Sequence, residues 1–171
     1  MKYKCDKRKN SWALAIDLCE EYIKRARKAD FLLKKLLKNN NGGVRRNSQF
    51  LFCGALRQWS LIHNVLEPLC LKKPHLRLKS LLIIALFEIY EKPKDIPKII
   101  HFGVDFAKKN FSPGESRFVN AVLRKAVFRL TEIKELPRKY SLKELALCYS
   151  HPEWLVKRWK EEFGIEATTN Y

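Results

Sequence analysis

At 171 residues and 46% apolar composition the chain is long enough for one domain with a buried core, and its five cysteines, an odd number without a CxxC pair, argue against a disulfide framework or a zinc site. Lys and Arg number 35 against 18 Asp and Glu, a net charge of +17, so a densely anionic partner is expected, the bland alternative being a merely soluble lysine-rich protein. The N-terminus, Met-Lys-Tyr-Lys-Cys-Asp-Lys-Arg-Lys, lacks an apolar leader and no run is long enough to span a membrane, which makes the cytoplasm the expected compartment.

Trp12, Ile16, Cys19, Ile23 and Ala26 recur at spacings of four, three, four and three, which predicts an amphipathic helix over about 11–29. Lys24, Arg25, Arg27 and Lys28 at its end suit the helix dipole and also form a basic patch. Phe31, Leu32, Leu33, Leu36 and Leu37 predict a second, short helix that stops at Asn39-Asn40-Asn41-Gly42-Gly43, a loop by turn chemistry, with Arg45 and Arg46 directly after it. From about 47 to 71 the apolar positions fit one or two helices, bent near Trp59.

The stretch 76–90 is apolar nearly all the way round, as expected of a central helix covered by its neighbours. Pro93 and Pro97 interrupt the pattern, and Ile99, Phe102 and Phe106 resume it as far as Lys108 and Lys109. Ser112-Pro113-Gly114-Glu115 reads as a capping box opening a helix to about Thr131, with Phe118, Val119, Val122, Ala126 and Leu130 inward and Arg117 and Arg124 on a shared stripe. Two more boxes, Ser141-Leu142-Lys143-Glu144 and Ser150-His151-Pro152-Glu153, should open short helices. Nothing alternates as a strand should, so the fold class is all-α, a helical bundle.

Residues 1–46 hold fourteen basic and five acidic side chains, 47–140 seventeen and eight, and 141–171 four and five. The neutral final stretch places a boundary near Tyr140, giving an expected binding domain over 1–140 and an appendage over 141–171. Gly54 inside a helical pattern costs stability unless another helix packs closely there. Asn120, if buried, needs a partner, and a helix-end or loop carbonyl is expected. Cys19 and Cys53 read as small core residues.

Catalytic chemistry has little support. There is no phosphate-cradling glycine loop, no HExxH and no GxSxG, and His63, His75, His101 and His151 fall in separate segments without ligand-like spacing.

Six segments in a fixed order carry a resemblance. They are Phe52-Cys53-Gly54-Ala55-Leu56-Arg57, the apolar run ending at Tyr90, Ile96-Pro97, Val104-Asp105-Phe106-Ala107-Lys108, Arg117-Phe118-Val119-Asn120-Ala121-Val122-Leu123-Arg124, and Ser150-His151-Pro152-Glu153-Trp154-Leu155 running on to Trp159. Together, over about residues 10–164, they resemble the NusB-like domain at the front of the Sun/Fmu (RsmB-type) family, methyltransferases that make 5-methylcytosine in small-subunit ribosomal RNA. That resemblance implies a NusB-like bundle with a short helical C-terminal extension. The family's S-adenosylmethionine-binding half and its catalytic cysteines would lie beyond residue 171, so this chain is expected to hold neither cofactor nor metal and to catalyse nothing alone. The unstopped ending at Asn170-Tyr171 fits a fragment or a truncated product. Two departures stand out: Trp12 occupies the place of an arginine expected to touch RNA, with Lys7, Arg8 and Lys9 upstream to replace its charge, and His101 falls where the family has another residue.

The reading that follows is an RNA-binding domain that positions ribosomal RNA for a methyltransferase domain in cis. Its expected phosphate contacts are Lys7, Arg8, Lys9, Lys24, Arg25, Lys28, Arg45, Arg46, Arg117 and Arg124. The alternatives are a stand-alone transcription antitermination factor of the NusB type and a protein-interaction module using exposed Trp59, Trp154 and Trp159.

Overall fold

Every regular element among the described residues of the computed structural model, 7–25, 28–36, 42–135 and 141–169, is helical, as the hydrophobic periods require. The helices are α1 (Lys7–Arg25), α2 (Ala29–Leu36), α3 (Gly42–Arg57), α4 (Trp59–Leu66), α5 (Leu76–Glu91), α6 (Ile96–Asn110), α7 (Pro113–Glu135), α8 (Leu142–Cys148) and α9 (Glu153–Thr169). Single 3-10 turns at Glu67–Leu69 and Pro93–Asp95 lead into the connections on either side of α5.

Helix α5 is the axis. Its side chains from Ser80 to Ile89 are all buried, because α1, α3, α4, α6 and α7 each pack against it. One core joins Trp12, Ile16, Phe52, Leu61, Ile62, Phe87, Ile99, Val119 and Leu123. Gly54 allows α3 to lie directly on α5: a Cβ there would stand 1.9 Å from Cζ of Phe87. The expected close approach is thus a contact with one aromatic ring tip.

Local signals placed most of the helix ends. The Ser141 hydroxyl accepts from the Glu144 N–H while the Glu144 carboxylate accepts from the Ser141 N–H, which completes the expected box at α8. Ser112 and Glu115 make the same reciprocal pair at α7. The expected bend near Trp59 is a break at Gln58, whose φ of −95° and ψ of 22° leave the helical region between α3 and α4.

Other expectations need correction. Helix α1 starts at Lys7 rather than near Ser11, and Ser11 is buried with its carbonyl 3.0 Å from the Ser48 hydroxyl of α3. The residue at the end of its predicted stripe, Ala26, lies outside the described residues, as do Arg27, Leu37, 39–41 of the glycine-asparagine loop and the boundary residue Tyr140. The helix expected from about residue 47 begins at Gly42, inside the expected loop, so Arg45 and Arg46 lie in the opening turns of α3. The second box is not formed: Ser150 takes φ 54° and its hydroxyl accepts from the Ser60 N–H of α4 at 3.2 Å, so a tertiary contact has claimed the oxygen that would have capped α9. Cys53, expected in the core, is half-buried.

Helices α8 and α9 build a small core of their own from Leu145, Ala146 and Val156, backed by Leu142 and Tyr149. The Ser60–Ser150 hydrogen bond and the packing of α8 on α4 seat it against the main bundle.

Candidate nucleic-acid interface

The N-terminal halves of α1 and α3 are tied together where the Ser48 hydroxyl meets the Ser11 carbonyl, and the two helices run in the same direction, since Tyr22 near the end of α1 meets Phe52 (6.0 Å) and Trp59 (5.8 Å) edge-on. Both N-termini therefore lie at one end of the bundle. Helix α1 opens with Lys7, Arg8 and Lys9, whose side chains lie outside the described residues, and α3 brings Arg45 and Arg46, both exposed. Neither first turn holds an acidic residue. Helix N-termini carry partial positive charge and unsatisfied N–H groups, so this end combines two dipoles with five cationic residues.

Lys24 and Arg25 are exposed at the opposite end of α1, about 25 Å away at 1.5 Å per residue, and Lys28, directly before α2, is exposed as well. Arg25 is engaged there by Glu21 at 3.0 Å, one helical turn back. The fold does not bring this trio to the α1–α3 end.

Arg117 and Arg124 form a third group. Both are exposed on α7, and both use the guanidinium Nε on an acceptor four residues earlier: Arg117 on the Pro113 carbonyl at 3.3 Å, Arg124 on the Asn120 side-chain oxygen at 3.1 Å. Asn120 is thus held by Arg124 on its own helix and not by a loop carbonyl, because its position leaves it half-exposed beside that arginine.

Trp12 is fully buried, its indole N–H donating to Glu88 Oε2 at 2.8 Å and its ring meeting Phe102 edge-on. The residue at this position is therefore a core residue that partners the buried Glu88 carboxylate and does not reach the surface. Arg77, by contrast, is a cation the fold has spent. Partial burial opposes its charge, but hydrogen bonds and attraction from Asp17 and Glu20 outweigh this and push its pKa up.

Of the aromatics expected at a protein-docking surface, Trp59 is packed between Tyr22 and His63 and Trp159 is half-buried beside His151, which leaves Trp154 exposed. Sequence reasoning passed over Phe128, which is 73% exposed on α7. The signal was available: with Val119, Val122, Ala126 and Leu130 turned inward, a phenylalanine at 128 falls on the outer stripe with Arg117 and Arg124.

The cysteines offer no activated nucleophile among the described residues. Burial pushes the Cys19 thiol up to about 12, against smaller opposing effects of Ser80 and Lys79, and burial likewise raises Cys53, Cys70 and Cys148. Among the described residues no cluster of His, Cys, Asp and Glu is placed to hold a metal ion, and no helix is long and apolar enough to cross a membrane.

The model of the NusB family matches residues 40–128, which takes in α3 to α6 and most of α7. A probable ribosomal RNA small subunit methyltransferase B of Bacillus subtilis (strain 168) is 31% identical over 149 residues, or 81% of this chain and 32% of the relative. The chain thus spans about a third of the length of that relative, in its N-terminal part.

Proposed function

The chain belongs to the NusB family, and on that footing we propose that it is the RNA-binding, N-terminal part of a ribosomal RNA cytosine-5 methyltransferase, acting in the cytoplasm. The observation that carries the reading is the gathering of Lys7, Arg8, Lys9, Arg45 and Arg46 at one end of the bundle, on two helix N-termini whose first turns hold no acidic residue. Phosphate oxygens are the ligands such an end suits, through charge-assisted hydrogen bonds and the helix dipoles. Lys24, Arg25 and Lys28 at the far end, and Arg117 and Arg124 on α7, would extend the contact to a folded RNA that wraps more than one face.

In this reading residues 1–140 position the RNA. The segment 141–171, with its separate small core, begins the passage to a methyltransferase domain in cis. S-adenosylmethionine would bind in that other domain, since the described elements are helices and hold no strand-to-helix glycine turn of the kind that cradles such a cofactor.

The test is the salt dependence of binding to a structured ribosomal RNA fragment. Each phosphate neutralised contributes about 0.7 to 0.9 to the slope of log K against log salt, so Arg45→Ala with Arg46→Ala should flatten it by about 1.5. A flat wild-type response, or an unchanged slope in the double variant, overturns the reading. A protein-interaction module is the second reading, favoured by Trp154 (66% exposed) and Phe163 (64%) on α9. It predicts RNA affinity no greater than that of any protein of equal charge.

A further inference from the structure

We infer that the outward face of α7 takes an unpaired base of single-stranded RNA, stacked on Phe128, with Arg117 and Arg124 holding adjoining phosphates. This rests on the RNA-binding reading above and adds a mode of recognition that the phosphate contacts alone do not provide. A single exposed hydrophobic residue is ordinary on protein surfaces, so exposure by itself decides nothing. The neighbours decide. Arg117, Ala121, Arg124 and Phe128 follow one another at spacings of four, three and four, which places them in one line along the helix, and all are exposed. Lys125 lies beside the line and Arg129 is half-buried next to Phe128. The acidic residues of α7 nearest the line are Glu115, two residues before Arg117 and engaged by Ser112 and His75, and Glu132, one turn beyond Phe128.

The two arginines are held alike. Each commits its Nε to an acceptor four residues back, and neither is in an ion pair among the described residues, so the terminal NH2 groups of both remain for a ligand. This tether lowers the ordering cost of binding, since a guanidinium already fixed at one nitrogen loses less freedom when it meets a phosphate. Ala121, between them, leaves room for a chain to pass. Three cations within about a turn of one aromatic ring, Arg124, Lys125 and Arg129, with Arg117 further along the same line, do not suit an apolar protein helix, because the buried centres of such interfaces are depleted in charge. They do suit a polyanion with flat faces. Stacking on an aromatic requires a base free of its own helix, which selects single-stranded over duplex RNA.

The experiment compares binding of the full chain to a labelled single-stranded oligoribonucleotide of mixed sequence and to a duplex of the same length, over a salt series. Phe128→Ala should weaken single-strand binding about tenfold, leave duplex binding unchanged and keep the salt slope, since no charge is removed. Phe128→Trp should retain affinity and show quenching of the added indole by the single strand only. Arg124→Ala should lower the single-strand salt slope by about 0.7. Because Phe128 and Arg124 are exposed, these variants should fold, which circular dichroism checks. If wild type binds RNA with a steep slope and Phe128→Ala binds as well as wild type, or loses single strand and duplex alike, stacking is wrong while the RNA reading stands, and a protein becomes the occupant to seek. If wild type binds neither RNA, both readings fall.

Discussion

Substituting Gly54 by alanine tests the closest contact in the core. The added Cβ would stand 1.9 Å from Cζ of Phe87 and 2.5 Å from both Cε atoms. Carbon contacts are optimal at about 3.5 to 4.0 Å, so the ring tip would have to retreat by about 2 Å. Phe87 is 1% exposed and has the Phe50 ring 5.4 Å away, so the retreat displaces other side chains in a close-packed interior. Overpacking costs about 1 to 3 kcal/mol, and an overlap this large belongs at the upper end. Against it stands about 1 kcal/mol gained by replacing glycine inside a helix. The expected net loss is about 2 kcal/mol, which lowers the melting temperature by roughly 4 to 8 °C in a chain of this size. Urea denaturation followed by circular dichroism measures it. Phe87→Leu supplies the second arm: alone it opens a cavity, but with Gly54→Ala it makes room, so the two changes should couple by at least about 1 kcal/mol. A Gly54→Ala protein as stable as wild type, or an additive cycle, would refute the claim that the ring tip fills the place of a side chain at 54.

Trp12→Phe keeps an aromatic ring against Phe102 but removes the N–H that meets Glu88. Losing a buried hydrogen bond to a charged group should cost about 1.5 to 3 kcal/mol in the same assay, and a loss under about 0.5 kcal/mol would show that Glu88 is satisfied without Trp12. The Cys19 thiol, at about 12, should resist iodoacetamide at pH 8 in the folded protein and react on unfolding; mass spectrometry that finds Cys19 alkylated as fast as an exposed cysteine would contradict the burial argument. His63 is held below its ordinary value, chiefly by burial and partly by Lys79, although its Nδ1–H donates to the Trp59 carbonyl at 3.0 Å and Glu67 acts in the opposite sense. The unfolded chain therefore takes up the proton first as pH falls through about 6.5, so stability drops from there until the folded value is reached and then levels off. Thermal melts of wild type and His63→Gln across this range should diverge below pH 6.5, and parallel curves would refute the assignment.

Much of this fold was legible in sequence because the signals were local. The period of Trp12, Ile16 and Cys19 follows from one turn of helix, and the boxes at Ser112 and Ser141 close within four residues. The inward stripe of α7 and the all-round apolar character of α5 likewise depend only on spacing along one helix. Ser150 shows where such reasoning stops. Its four-residue pattern matches that of Ser141, yet the Ser60 N–H, ninety residues earlier in the chain, takes its hydroxyl.

The candidate interface divides in the same way. Sequence alone determined that the chain is helical, strongly basic over 1–140, and supplied with the ten cations expected to meet phosphate. Only the tertiary structure decided that Lys7, Arg8, Lys9, Arg45 and Arg46 share an end, that Lys24 and its neighbours do not, and that Trp12 serves a buried carboxylate instead of the surface. The physical reason is that charge and periodicity are properties of a segment. Which segments become neighbours depends on the core that packs them together, and here that core is built around α5.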